Sequence, residues 1–269
     1  MKKGPPLTAA NADKFDLYLS SIQSPWQDAP FMARWFQRIT GRPARTFRED
    51  FCGTANQSCE FIRLSPKNRA YAVDIDPAPL QWCILNNWPL LTPSQRKRLK
   101  LIRASVFDTK LPKTDLIAAF NFSYWIFKEK SLLLSYFQKA RKDLVRGGAL
   151  MIDVLGGPQN QMVSKGEFNM GEFTYVWEVA RFNPINHNVL FKIHFQFKDG
   201  SKLRNAFQYD WRFWTLPELQ DLLLEAGFRR VTVLWEDTDA KTGKGTGVFR
   251  IKSKAISENA WLAYVIAQS

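Results

Sequence analysis

The sequence has no long apolar run, only three cysteines and only two histidines. A membrane-spanning helix needs about 20 consecutive apolar residues, so we expect no membrane span. Lys2 and Lys3 are not followed by an apolar segment, so we expect no secretory signal. Cys52, Cys59 and Cys83 match no zinc-ligand spacing and are a poor disulfide framework. These scarcities predict a cytoplasmic protein with reduced thiols and no metal site.

The composition is that of a folded protein, with 45% hydrophobic, 14% aromatic and 23% charged residues. A chain of 269 residues is long enough for one large domain that carries an insertion. The net charge of +13 is compatible with a phosphate-rich partner. Lys and Arg cluster at 96–100 and 139–142. Solvated faces of surface helices are the favoured explanation of both clusters, and a nucleic-acid partner is the alternative.

Two regions of the chain are predicted from its patterning. Residues 1–40 read as an N-terminal helical lid: a loose tail, one helix capped by Asp13, and a second helix opened by Pro30. Residues 41–269 read as the main domain. Within it, residues 172–182, 189–198 and 202–212 are aromatic-rich and partly alternating, which predicts three strands of an antiparallel β insertion at about 160–214.

The main domain alternates short apolar runs with helical stretches. The pattern changes at Thr46, where a first strand leads into a predicted turn at 47–55. We predict further strands at 70–73, 99–102, 116–120 and 149–154, and helices at 55–64, 77–88 and 131–145. After the insertion, Thr215 caps a helix that ends at Gly227, and strands follow at 229–236, 246–252 and 261–267. Continuous apolar strands separated by helices indicate an α/β fold with a mostly parallel sheet.

Polar residues follow four of the predicted strands, where an open parallel sheet binds ligands. Gly53 lies in the turn after the first strand, and its missing Cβ lets a ligand approach the backbone. Asp74 ends the second strand, 21 residues after Gly53, a spacing that suits hydrogen bonding to a ribose diol. Asp76, just before Pro77, is the better helix cap, which leaves Asp74 free for a ligand.

The other two loops begin at Ser105 and Asn121. Ser105 is a small polar residue that suits an adenine amino group, and Val106 or Phe107 suits the face of its ring. The loop from Asn121 to Tyr124 follows the fourth strand, where a cofactor's reactive end meets its substrate. Each loop alone is compatible with an ordinary turn or with core packing; the specific signal is their order.

This order resembles class I S-adenosylmethionine-dependent methyltransferases. The layout is similar to small-molecule members of the glycine N-methyltransferase type. The stretch Glu49–Thr54 also resembles an uncharacterised bacterial branch with an acidic-Asp-Phe-Cys-Gly-Thr loop. The resemblance implies a Rossmann-like seven-stranded sheet, an antiparallel insertion after strand five, and S-adenosylmethionine as cofactor.

The resemblance also assigns cofactor-binding residues. Arg48 is the candidate for the methionine carboxylate, and Phe51 and Ala55 replace the outer two glycines of the loop. Tyr18 and Trp26 either close over the cofactor or pack against the sheet. The full cofactor-binding set is Tyr18, Trp26, Arg48, Glu49, Cys52, Gly53, Thr54, Asp74, Ile75, Ser105, Val106 and Asn121.

The resemblance leaves the catalytic residue open, because in-line methyl transfer needs a general base only when the acceptor must lose a proton. Tyr124, His194 and Tyr209 are the named candidates. His187 falls in a predicted turn, where we expect it to be exposed. Further pocket candidates are Tyr175, Glu178 and Arg212.

We expect methyl transfer to nitrogen, oxygen or sulfur of a small molecule, because the aromatic insertion is suited to cover an active site. One alternative is an RNA or DNA methyltransferase, favoured by the net charge. It is also favoured by a faint likeness of Asn121–Tyr124 to the Asn-Pro-Pro-aromatic loop of amino methylases. Another is a non-catalytic S-adenosylmethionine-binding protein, suggested by the replaced glycines. A nicotinamide dehydrogenase is disfavoured, since no Gly-x-Gly-x-x-Gly motif follows the first strand. The oligomeric state stays open.

Overall fold

A computed structural model describes residues 5–239, 241–242 and 245–269. The chain divides into two compact units. One contains the residues up to Ser24 together with Gly157–Phe213, and the other contains Pro25–Gly156 with Trp214–Ser269. The predicted boundary at residue 40 is therefore replaced by one at Ser24. The first helix, α1 (Lys14–Ser21), belongs with the insertion, and the second, α2 (Pro25–Thr40), belongs with the main domain.

The larger unit is built on a sheet of eight strands in the described part of the chain. Their order is β11-β10-β12-β5-β4-β1-β2-β3. The bounds are β1 Thr46–Asp50, β2 Arg69–Asp74, β3 Leu99–Arg103, β4 Thr114–Ala119, β5 Leu144–Gly156, β10 Arg230–Thr238, β11 Gly245–Ile251 and β12 Trp261–Gln268.

The α/β Rossmann-like fold class is confirmed. Strands β1 to β5 run parallel, and β12 lies antiparallel between β5 and β10. The eighth strand, β11, pairs with the outer edge of β10 as an antiparallel neighbour and extends the predicted seven strands. The strand order reverses between β1 and β4, which places the topological switch point, where such sheets bind ligands, at the carboxyl ends of these two strands.

Helices α2 to α7 also belong to the larger unit. Helix α2 begins at Pro25, and Pro30 lies inside it rather than opening it. Its buried face of Ala29, Met32 and Phe36 stabilises the helix despite the backbone hydrogen bond that an internal proline removes. The remaining helices are α3 Asn56–Arg63, α4 Pro77–Asn86, α5 Pro93–Arg96, α6 Lys130–Asp143 and α7 Leu216–Glu225. Thr215 caps α7 with a capping box, as predicted.

The smaller unit contains α1 and an antiparallel sheet of four strands in the order β6-β7-β8-β9. The strands are β6 Ser164–Asn169, β7 Phe173–Phe182, β8 Asn188–Phe197 and β9 Lys202–Arg212. Strand β8 alternates strictly between buried and half-buried positions. Strand β6 was not predicted, because its mostly exposed, mostly polar residues show no apolar alternation. No helix in the described residues of either unit is both long and apolar enough to cross a membrane.

Candidate functional site

The loop after β1 holds a left-handed backbone at three alternate residues. Phe51 has φ 57°, Gly53 has φ 52° and Ala55 has φ 55°. A left-handed conformation costs residues with a Cβ about 1–2 kcal/mol. The loop therefore keeps a glycine-type conformation at all three positions where the resembled family carries glycine. Strain of this kind at a ligand-binding edge is a signal of function.

Asp74, at the end of β2, is bound to this loop. The Gly53 amide donates to its Oδ2 atom at 2.8 Å, and the Asp76 amide donates to its Oδ1 atom at 2.9 Å. Asp76 accepts from the Ala78 amide and caps α4, as predicted. Burial raises the pKa of Asp74. The half-buried Asp74 carboxylate is thus fixed beside the Gly53 backbone at the switch-point edge.

The loop after β4 is held by a residue that the sequence did not single out. Asn121 and Phe122 both have left-handed φ values, of 56° and 57°. Their amides donate to the two carboxylate oxygens of Asp153 on β5, at 2.7 and 3.0 Å. The available signal was an acidic residue inside the otherwise apolar run of β5. Asp153 thus fixes the loop in which the reactive end of a cofactor was predicted.

Two buried carboxyl groups flank the edge of β1 and β4. Glu49 accepts from the Ser58 amide at 2.8 Å and from the Ser58 hydroxyl at 2.6 Å. Burial raises the pKa of Glu49 to about 7, although both bonds from Ser58 oppose the shift. Burial likewise raises the pKa of Asp153 to about 7, against its backbone hydrogen bonds. Both groups therefore titrate near neutral pH.

These two raised pKa values predict a stability that falls as pH rises. A carboxyl whose pKa is higher in the folded state binds protons preferentially there, so its contribution is complete below the unfolded value near 4. That contribution is lost between about pH 4 and pH 7, because the unfolded carboxyls are ionised in this range while the folded ones keep their protons until about pH 7. We expect the variant Glu49→Gln to show a smaller loss of unfolding free energy than the wild type between pH 5 and pH 8. Urea titrations of both proteins at pH 5 and pH 8 measure the two losses of unfolding free energy. Equal losses in the variant and the wild type would contradict the raised pKa of Glu49.

The predicted role of Arg48 is wrong. Its guanidinium is fully buried, with Nε 2.8 Å from Asp50 Oδ1 and Nη1 2.6 Å from Asp143 Oδ2. The Tyr136 hydroxyl also donates to Asp50, and Lys139 pairs with Asp143. Arg48 points into the layer between β1 and α6, so it is not available to a methionine carboxylate.

Two of the catalytic candidates are also corrected. Tyr124 is fully buried and donates its hydroxyl to the Asp153 carbonyl at 2.8 Å. His194 accepts from the Asn205 amide through Nδ1 at 2.9 Å, and its Nε2 lies 2.8 Å from Glu178 Oε2. Both imidazole nitrogens are occupied where the β8–β9 register shifts, so His194 stabilises that irregularity rather than acting as a base.

Tyr209 and the further candidates lie in the smaller unit. Burial raises the pKa of Tyr209 well above its usual value, and Tyr209 hydrogen-bonds Tyr18. The Tyr18 ring lies 5.0 Å from Phe207, so it packs on the antiparallel sheet. Burial raises the pKa of Tyr175 above its ordinary range. Glu178 is paired with His194 and Lys165, and Arg212 ends β9.

The remaining predicted cofactor residues lie in the larger unit. Cys52, Thr54 and Val106 are buried, whereas Trp26 and Ile75 are 58% and 69% exposed. The half-buried Ser105 accepts from the Phe107 amide at 3.2 Å in the turn after β3. The ends of β1, β2 and β4 thus bring together the largest group of predicted residues, namely Glu49, Cys52, Gly53, Thr54, Asp74, Ile75 and Asn121.

Comparison with solved structures identifies the fold. The chain is similar to an S-adenosylmethionine-dependent methyltransferase from Clostridium acetobutylicum ATCC 824, with a TM-score of 0.66 and 16% identity over 94% of this chain and 96% of that one. It has the fold of S-adenosylmethionine-dependent methyltransferases. CalS10, an amino pentose methyltransferase from Micromonospora echinaspora, matches over 100% of both chains with a TM-score of 0.66 and 12% identity. DesVI from Streptomyces venezuelae matches over 96% of this chain and 98% of its own, with a TM-score of 0.66 and 14% identity.

The likeness lies in the fold, not in the sequence. No protein-family model matches the chain, and no curated protein matches it in sequence. At these identities the methyltransferase fold is established and the activity has to be argued from the site itself.

Proposed function

We propose that the protein is an S-adenosylmethionine-dependent methyltransferase that acts on a small molecule. The observation that carries the proposal is the loop after β1, with its left-handed Phe51, Gly53 and Ala55 and its Gly53 amide bonded to Asp74. This loop lies at the switch point, where sheets of this type bind ligands. Phe51 and Ala55 adopt the left-handed conformation although both carry a Cβ. Backbone strain of this kind is common where a loop binds a ligand.

The site residues fit the cofactor's chemistry. The Asp74 carboxylate has acceptor capacity left for a ribose diol, and the loop from Gly53 offers backbone groups without a covering side chain. When bound, S-adenosylmethionine supplies the activated methyl group. The protein then needs to hold the two reactants in line and to exclude water.

A small-molecule acceptor is supported by the proteins of similar fold and by the hydrogen bonds that two of the basic residues form within the protein. CalS10 is described as an amino pentose methyltransferase, and KedS8 from Streptoalloteichus, with 16% identity and a TM-score of 0.60, as a sugar N-methyltransferase. In the basic cluster at 96–100, Arg96 bonds the carbonyls of Trp88 and Pro89. Arg98 bonds three further backbone carbonyls. These two cations are used within the fold, which weakens the case for a nucleic-acid footprint.

A cytoplasmic location is part of the proposal. Cys52, Cys59 and Cys83 are all buried and are free cysteines. Reduced thiols of this kind are typical of proteins that work in a reducing compartment.

The proposed site can be tested with two matched glycines. Gly41 and Gly53 both have positive φ, of 76° and 52°, and a Cβ added at either meets no described atom within 4 Å. We expect Gly53→Ala and Gly41→Ala to cost a similar unfolding free energy, of about 1–2 kcal/mol. Only Gly53→Ala should weaken the binding of S-adenosylhomocysteine, by about tenfold or more, because the new methyl group occupies space that the ligand needs. Calorimetric titration and urea unfolding of both variants measure the two effects.

The same titrations decide the proposal. Wild-type protein that takes up neither S-adenosylmethionine nor S-adenosylhomocysteine would refute it. Equal affinities of the two alanine variants for S-adenosylhomocysteine would show that the cofactor does not bind at the Gly53 loop. Formation of S-adenosylhomocysteine with any acceptor would distinguish an enzyme from a protein that only binds the cofactor.

A further inference from the structure

The antiparallel sheet of the smaller unit has two faces of different chemistry. On one face, Ile193 and Phe195 of β8 pack with Leu17 of α1 in an apolar cluster. Side chains alternate between the faces along a strand, so His194 and Gln196 point to the opposite face. That second face is polar, and it is the one on which the insertion can hold a charged ligand.

A cavity of about 190 Å³ lies on this polar face. Its centre is the cross-strand pair of Val176 on β7 and His194 on β8, and Val176 is only 3% exposed. Lys165 borders the cavity from the edge strand β6, whereas Lys202 and Arg204 border it from the other edge strand, β9. Basic residues from both edges of the sheet thus surround one recess over its centre. We call this recess the basic cavity.

Lys202 and Arg204 are the unpaired cations of the basic cavity. They lie two residues apart on β9, so their side chains leave the strand on the same face. Both are exposed, and within the described ranges neither side chain forms an ion pair or a hydrogen bond. Arginine offers a planar fork of N–H donors and lysine a compact point charge, and proteins bind phosphate groups with both.

His194 contributes to the cavity by positioning its neighbours. Its Nδ1 atom accepts from the Asn205 amide at 2.9 Å, and its Nε2 atom lies 2.8 Å from Glu178 Oε2. Asn205 has a left-handed φ of 51° and directly follows Arg204. The bond from the Asn205 amide therefore fixes the backbone next to Arg204. Glu178 also lies 3.3 Å from Lys165, whose side chain is 57% exposed and open to a second partner.

The size and charge of the basic cavity define the ligand. Among the described residues that line it, three are Lys or Arg and one, Glu167, is acidic. The volume is below the 300–1,000 Å³ or so that is usual for drug-sized ligands, so the ligand is small. The excess of cations calls for an anionic group. Glu167 accepts from Gln196 Nε2 at 3.4 Å and has acceptor capacity left for a hydroxyl group.

Charged residues on edge strands have another common role, because they prevent a further strand from pairing. That role would explain the Lys and Arg residues of β6 and β9 taken strand by strand. It does not account for their meeting around one cavity, nor for the unpaired state of both Lys202 and Arg204.

We propose that the basic cavity binds a small phosphate monoester that carries a hydroxyl group. The phosphate group lies on Lys202 and Arg204, with Lys165 as a third cation, and the hydroxyl group donates to Glu167. The site belongs entirely to the smaller unit, whereas the proposed cofactor loop belongs to the larger one. The inference therefore goes beyond the proposed function and does not depend on it.

The test measures the binding of glycerol 3-phosphate to the whole protein by NMR, at constant ionic strength. The reporters are the backbone amides of Val176 and Gln196, because both residues line the cavity and carry no charge. We expect glycerol 3-phosphate to shift both signals in a saturable way, inorganic phosphate to bind more weakly, and glycerol not to bind. Arg204→Gln should weaken the binding of glycerol 3-phosphate by about tenfold or more.

Lys198→Gln is the matched control for the loss of one positive charge. Lys198 belongs to the same unit and is 63% exposed, but it pairs with Glu172 and does not line the cavity. The control should leave the affinity for glycerol 3-phosphate unchanged. Both variants should bind S-adenosylhomocysteine like the wild type.

Three outcomes would overturn the inference. The first is the absence of a saturable shift with glycerol 3-phosphate, which would leave the charges of β6 and β9 as protection of the sheet edges. The second is an equal loss of affinity in Arg204→Gln and Lys198→Gln, which would make the effect one of net charge. The third is equal binding of inorganic phosphate, which would exclude a contribution from the ester. If Arg204→Gln does not fold, the exposed Lys202→Gln replaces it. Failure of the wild type to bind S-adenosylhomocysteine would count against the proposed function alone.

Discussion

Replacing Asp74 by alanine is expected to weaken the binding of S-adenosylhomocysteine by about a hundredfold. Charged hydrogen bonds contribute about 1.5–3 kcal/mol each, and about 2.7 kcal/mol corresponds to a hundredfold change. The carboxylate is expected to accept from the ribose diol, and it already holds the Gly53 amide at 2.8 Å. Its loss would therefore remove a ligand contact and loosen the loop at the same time. Calorimetric titration of the variant measures the change.

Asp76→Ala is the matched control for this prediction. Asp76 lies two residues further along the chain, caps α4 through the Ala78 amide and is exposed. Its replacement should cost about 1 kcal/mol of unfolding free energy, as the loss of a helix cap does, and leave the affinity for S-adenosylhomocysteine unchanged. If both variants bound as tightly as the wild type, Asp74 would not be the ribose ligand. If both lost affinity alike, the effect would come from the turn and not from one carboxylate.

Replacing Arg48 by methionine is expected to lower the free energy of unfolding by about 3–5 kcal/mol, the usual cost of breaking a buried ion pair. The substitution leaves Asp50 and Asp143 buried without the guanidinium that now bonds both of them. Denaturant titration followed by tryptophan fluorescence measures the loss. The fraction that stays folded should bind S-adenosylhomocysteine with wild-type affinity, because Arg48 is fully buried away from the site.

The double variant Arg48→Met, Asp50→Leu is the control for the Arg48 prediction. It removes both charges of the most buried pair, while Asp143 keeps Lys139 as its partner. Replacing a buried pair by apolar residues is often neutral, so most of the lost stability should return. If Arg48→Met alone kept its stability and lost only its affinity for the cofactor, Arg48 would be a ligand of the methionine carboxylate, as the sequence suggested.

The larger unit could be predicted from the sequence because its signals are local. The runs at β2, β3 and β4 are apolar and short, and helix boundaries are marked by residues such as Thr215 and Asp76. The relation between Gly53 and Asp74 was also predictable, since their spacing reflects one strand–helix–strand unit. Strand β11 was expected as a strand, but its place as the eighth strand of the sheet depends on its pairing with β10.

The parts that could not be predicted depend on which face a residue occupies. Arg48 and Glu49 are adjacent in β1, so their side chains point to opposite faces. One enters the buried ion cluster with Asp143, and the other accepts from Ser58 at the start of α3. The pairing of Asp153 with the Asn121 amide joins residues 32 positions apart. The likeness to known loops carries no information about such long-range partners.

A crystal structure of the complex with S-adenosylhomocysteine tests the central claim most directly. We predict that the ribose diol lies on Asp74, that the ligand's backbone contacts fall on the loop from Cys52 to Thr54, and that the sulfur faces the loop at Asn121. A ligand bound elsewhere on the chain, or a ribose that does not contact Asp74, would contradict the account.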